Sequence, residues 1–189
     1  MDIFSYLMGK KAGGGGNVTL DGSLTYDNSK LLQSLIVEVK PFDLGNNIDM
    51  ASFFKNCTKL KEVPMLDTSK IKTMSNCFIS CALIETMPLW DTHLVTAMSS
   101  MFSGCSELKN VPVLDTRSLL TASNTFMSCN KLTDESLNNI LKMCINATLF
   151  AGTKTLYALG FRKTVYTQAK IESLSNYADF VTAGWSTGY

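Results

Sequence analysis

The residues in this sequence with reactive side chains are six cysteines, one histidine, a regularly spaced set of aspartates and a run of four glycines. The cysteines are Cys57, Cys77, Cys81, Cys105, Cys129 and Cys144. As thiolates they would be nucleophiles or soft-metal ligands, and paired they would form disulfides. Structural zinc asks for close pairs of the Cys-x2-Cys type, and only Cys77 and Cys81 come near that spacing. His93 is the single histidine, and Ser-His-Asp chemistry needs such a base held by a third group. Gly13 to Gly16 has no Lys-Ser/Thr sequel and so is no phosphate loop. Asp and Glu are scattered without a paired-carboxylate setting. The expectation is therefore no catalytic residue, no metal, no cofactor and no enzyme.

The reason lies in the spacing. Written in rows of 24, the chain aligns without gaps. One column holds Phe54, Phe78, Phe102 and Phe126, and three residues on comes Cys57, Cys81, Cys105 and Cys129. Leu60, Ile84, Leu108 and Leu132 follow, then Val63, Met87 and Val111, each before a proline (Pro64, Pro88, Pro112). Leu66, Trp90 and Leu114 precede the pairs Asp67-Thr68, Asp91-Thr92 and Asp115-Thr116. Met50, Met74, Met98 and Ala122 stand four residues before each Phe. An incomplete turn comes first, with Ile36, Val39, Phe42 and Asp43 in matching places. The period falls in the 20–29 residue range of leucine-rich repeats.

In such a chain one turn cannot bury its apolar face alone, so turns stack, with equal positions ~4.8 Å apart. The fold class expected is α/β, a leucine-rich-repeat solenoid of 24-residue turns with short strands on one side, short helices on the other and a helical C-terminal cap. Leu108 to Leu114 reads as the strand, with the proline column ending the sheet. Met98, Met101, Phe102 and Cys105, within Val95 to Cys105, sit at i, i+3, i+4 and i+7 and read as a helical face. The phenylalanine column is then a stacked aromatic spine, and the cysteine column is a set of packed thiols, with disulfides and metal as the competing readings. The aspartates read as turn formers that accept backbone N–H groups with threonine helping, or as helix starts, against a calcium ladder. His93 shares its column with Ser69 and Arg117 and so reads as a solvated turn residue.

Four segments follow: 1–16 as an anchor peptide and glycine linker, 17–45 as an N-terminal cap and first incomplete repeat, 46–132 as the repeats and 133–189 as the helical cap. In the cap, Asp134 to Cys144, Thr153 to Leu159, Thr167 to Leu174 and Asn176 to Ala183 are expected helices, with Thr133 or Asp134, Thr167 and Ser175 as caps and Trp185 and Tyr189 folding back or else forming an exposed contact patch. Ile3, Phe4 and Leu7 form an apolar side on a tethered peptide suited to docking, or else a frayed terminus. If a face binds, the strand side is the default, through Glu38, Glu62, Thr86 and Asn110 with Lys61, Glu85 and Lys109 nearby, and the helical side is the alternative. The 189 residues are 46% apolar and 17% charged, with net charge +1, too balanced for a nucleic-acid partner. No run approaches the ~20 apolar residues of a membrane span. The N-terminus carries an acid second and lysines after its apolar run, unlike a cleavable signal.

The motif Met-x3-Phe-x2-Cys-x2-Leu-x3-Pro-x2-Asp-Thr, clearest in Met98, Phe102, Cys105, Leu108, Pro112, Asp115 and Thr116, resembles the BspA-like leucine-rich repeats of bacterial surface proteins. The resemblance covers roughly Asn46 to Leu132 and implies adhesion or protein binding without enzymatic activity. Met1 to Gly16 and the ending Ala183 to Tyr189 are similar to the termini of structural proteins from tailed phages of Gram-positive bacteria. That second resemblance implies a virion component, held to other virion proteins through its N-terminus and meeting a host surface protein or glycan. The alternative is a bacterial cell-surface adhesin.

Overall fold

The computed structural model describes residues 18–20 and 36–189. Ile3, Phe4 and Leu7 lie outside the described residues. Strand β1 (Val18–Leu20) pairs in parallel with β2 (Ile36–Val39), Val18 opposite Ile36. Beyond them the chain repeats itself in coils, each joined to the next by parallel bridges between residues at equal places. Asp49, Thr73, Ala97 and Thr121 form one such line, and Glu62, Thr86 and Asn110 another.

Between Met50 and Cys129 each coil turns its corner without a helix. Met74, Asn76, Phe78 and Ser80 donate their N–H groups across to the carbonyls of Ala97, Ser99, Met101 and Ser103 at 2.7–2.9 Å. Cys77, Ile79 and Cys81 donate backward within the coil, to Met74, Asn76 and Phe78. Alternate amides therefore stitch neighbouring coils while the others close tight turns. Two residues in each corner, four apart, have left-handed backbone: Ser52 and Asn56, Asn76 and Ser80, Ser100 and Gly104, Asn124 and Ser128. Asn, Ser and Gly tolerate this conformation better than branched residues.

The helix expected over Val95 to Cys105 is thus replaced by overlapping turns. Apolar residues spaced by four fit a string of four-residue turns as well as a helical face. The strand expected at Leu108 to Leu114 is reduced to a single bridge at Asn110, because Pro112 has no N–H to offer and the chain bends there. The core is one continuous apolar file. Phe54, Phe78, Phe102 and Phe126 stack ring on ring with centroids 5.1, 5.7 and 5.7 Å apart and interplanar angles of 8°, 1° and 16°. Trp90 leans on Phe78 and donates its indole N–H to the Pro64 carbonyl at 3.0 Å.

The far end of the stack is closed by a helix whose side chains stand in for a missing coil. Helix α1 (Asp134–Asn146) starts at Thr133, whose hydroxyl accepts the Ser136 N–H. Ser136 Oγ accepts the Val111 N–H at 2.9 Å and donates to the Lys109 carbonyl at 2.8 Å, and Asn139 Nδ2 donates to the Val111 carbonyl. The backbone ladder is continued by the segment after α1: Asn124 and Phe126 donate to the carbonyls of Ala158 and Leu159. This segment holds a bridge at Thr155 and turns through Gly160, so the helix expected at Thr153 to Leu159 is absent. Gly160 lies at φ +100°, and a Cβ there would meet the Met127 N at 2.5 Å. Phe161 adds a tilted ring to the spine. Tyr166 locks the seam, its hydroxyl donating to the Cys129 carbonyl at 2.6 Å and accepting the Leu132 N–H at 3.0 Å. Helices α2 (Gln168–Glu172), capped by Thr167, and α3 (Tyr177–Thr182) complete the cover. Ser175 caps nothing: Asn176 holds the α3 N-cap place without a side-chain capping bond, its Nδ2 donating instead to the Asn138 carbonyl, and the Ser175 hydroxyl donates to Asn138 Oδ1.

Candidate interaction surface

The reactive side chains end up in two places. The thiols are inside. All six cysteines are free and buried. Three of the four in the column donate to the phenylalanine carbonyl one coil back: Cys81 Sγ to Phe54 O at 2.9 Å, Cys105 to Phe78 and Cys129 to Phe102, both at 3.1 Å. Burial pushes the Cys57, Cys77, Cys105 and Cys144 thiols well above their usual range and that of Cys129 up to about 12. A thiol held protonated and away from solvent is neither nucleophile nor ligand.

The aspartates and His93 are outside. Oδ1 of Asp67, Asp91 and Asp115 each accepts the backbone N–H two residues on, at 3.1 Å. The residue at that place adds a side-chain donor: the Ser69 hydroxyl, a His93 ring nitrogen 2.7 Å away, or the Arg117 guanidinium. These side-chain bonds hold all three carboxyls below the usual range. The Asp91–His93 pair therefore does the same work as Asp67–Ser69 and Asp115–Arg117, closing a turn. No helix begins here. The threonines act differently from the expectation. Thr68, Thr92 and Thr116 are buried, and each donates across to the next layer, to the carbonyls of Asp91 and Asp115 in the following coils and of Met143 in α1, at 2.6–2.9 Å.

The strand-side residues line up along one exposed edge. Lys61, Glu62, Glu85 and Thr86 border an open groove together with Leu83 and Glu107. Lys109 and Asn110 stand one coil further on. Lys109 Nζ bonds Glu85 Oε2 at 2.7 Å, which lowers the Glu85 pKa and raises that of Lys109, and Asn110 Nδ2 donates to Thr86 Oγ1 at 3.3 Å. Glu38 is exposed on β2, opposite Thr19 of β1, and is not part of the groove. Sequence reasoning missed the second rung of this ionic ladder, Glu107 with Lys131, both of whose carboxylate oxygens lie 2.7 Å from Nζ. The 24-residue spacing of the two is the signal that would have found it. It also missed an exposed apolar line just past the prolines, Met65, Leu89 and the half-buried Val113, which repeats at the same period.

A family model described as "Mycoplasma protein of unknown function, DUF285" matches residues 37–157, more than half of the chain. The chain belongs to the DUF285 family. The matched stretch opens in β2, takes in every coil and α1, and ends in the turn that continues the ladder. It is consistent with the BspA-like resemblance of the repeats. No curated protein and no solved structure matches. Among the described residues of this family member, no helix is long and apolar enough to cross a membrane.

Proposed function

We propose that this chain is a leucine-rich-repeat solenoid, without enzymatic activity, that serves as a virion structural protein and presents its strand-side edge to a protein or host surface. One observation carries the reading. The inward side chains are consumed in holding coil to coil, thiols and threonine hydroxyls included, while the outward ones repeat at coil spacing. A surface of that kind offers a periodic pattern to a partner and no converging set of reacting groups. Ile3, Phe4 and Leu7 would join the chain to other virion proteins, leaving the edge of Lys61, Glu62, Glu85, Thr86, Lys109 and Asn110, with Glu38 beside it, to meet the host. A second reading, carried by the BspA-like resemblance of the repeats, is a surface adhesin of a bacterium, for which the same edge would be used.

The test uses the full chain, fluorescently labelled, on bacterial cells and on purified phage particles. Saturable binding that falls at least tenfold in Thr86→Arg and Glu62→Lys, with melting unchanged, supports the edge. Binding equally strong in both variants refutes it. Recovery of the protein in purified particles, lost when residues 1–16 are deleted, separates the virion reading from the adhesin reading.

A further inference from the structure

Among the described residues only two buried side-chain polar atoms have no hydrogen-bond partner, and both belong to the last five residues: Trp185 Nε1 and Tyr189 Oη. Every other buried side-chain nitrogen or oxygen of the described residues has a partner. The tail is held by few backbone bonds. Trp185 N–H donates to the Phe180 carbonyl at 3.2 Å, Ser186 N–H donates to the Lys154 carbonyl, and the N–H groups of Leu156 and Tyr157 donate to the Ser186 and Thr187 carbonyls. Its entry point is Gly184, at φ +85° with open space where a Cβ would stand. The Trp185 ring lies 5.0 Å from Phe150 and 6.0 Å from Phe180. It also walls an apolar cavity of about 30 Å³, lined besides by Leu119, Phe126, Ile140 and Leu159, between the last coil and α1.

We propose that residues 184–189 are a strap that opens about Gly184 independently of the coils, withdrawing Trp185 from this apolar pocket. Two opposed effects set the balance. Ring burial favours the closed strap. Two orphaned donors favour the open one, in which both reach water. The coils have no such opposition, because their buried thiol, hydroxyl and indole donors find carbonyls.

Native-state hydrogen exchange on the full chain tests this. The amides of Leu156, Tyr157 and Ser186 should exchange at least a hundredfold faster than those of Phe78 and Phe102, while Phe126, bonded to the Leu159 carbonyl, stays with the coils. Tyr189→Phe keeps the ring and removes one orphan, so exchange at the three strap amides should slow about fivefold or more with the coil amides unmoved. Gly184→Ala strains the closed backbone and should speed the same three amides. Equal protection of strap and coil amides would overturn the proposal. So would a Tyr189→Phe strap that opens as often as before, or loss of Phe126 protection in step with the strap, which would mean that the whole cap moves.

Discussion

Removing Phe102 is the most direct trial of the stacked core. Its ring is sandwiched between Phe78 and Phe126, each with a centroid 5.7 Å away, and it is 1% exposed. Phe102→Ala should cost about 3–5 kcal/mol, because neighbouring coils are pinned by backbone bonds and cannot close over the gap. Each ring pair contributes roughly 0.5–1.5 kcal/mol beyond area burial, so the interior position should lie at the top of that range. In a chain of this length about 1 kcal/mol moves Tm by roughly 2–4 °C, which puts the expected fall at about 6–20 °C by calorimetry or circular dichroism. A double-mutant cycle sharpens the trial. Phe78→Ala with Phe102→Ala should couple by about 0.5–1.5 kcal/mol, because the rings touch. Phe54→Ala with Phe126→Ala, two coils removed from contact, should add to within about 0.5 kcal/mol. A cost below about 1.5 kcal/mol for Phe102→Ala, or equal coupling in the two cycles, would refute the single-file reasoning.

Three further outcomes follow from the same geometry. Tyr166→Phe leaves the Leu132 N–H without its acceptor and the Cys129 carbonyl without its donor, so it should lower stability by about 1–3 kcal/mol in urea unfolding and loosen the cap first. Stability should fall as the pH rises from about 10 through about 12: Tyr166 keeps its proton to about 12 when folded and loses it near 10 when unfolded, with the buried thiols adding from about 9 upward; a flat alkaline melting profile would contradict this. Asp67, Asp91 and Asp115, whose folded pKa values are depressed, act at the other limb: their contribution is present above the ordinary carboxylate range and lost as pH falls through the folded values, so Asp115→Asn should show less acid destabilisation than wild type.

Much of this was readable from spacing. The phenylalanine and cysteine columns and Trp90 repeat with the coil, and repetition alone says which residues become neighbours. The cap helix was readable because Thr133 and the apolar face of Leu137, Ile140, Leu141 and Cys144 obey ordinary helix rules. The corner of each coil was misread because Met98, Met101, Phe102 and Cys105 fit two backbones. The column of Ser52, Asn76, Ser100 and Asn124 held the deciding information, since left-handed places select such residues. The buried threonines were placed on the correct turns but given the wrong partner, because a bond to the next coil leaves no trace in local sequence. The groove residues were found as a face, whereas the pairing of Glu107 with Lys131 depends on long side chains reaching along the stack.

The side-chain plugs that α1 supplies at the last coil have a consequence for how the chain can vary in length. Across the seam, Ser136, Asn139 and Thr133 bond only the backbone of one rung, at Lys109 and Val111, and any interior rung offers the same pattern. Excising residues 75–98 would bring Met74 next to Ser99 and leave every remaining column in phase. Such a chain is a ruler with interchangeable segments: its height changes in steps of ~4.8 Å, while the ends that seal it need no redesign.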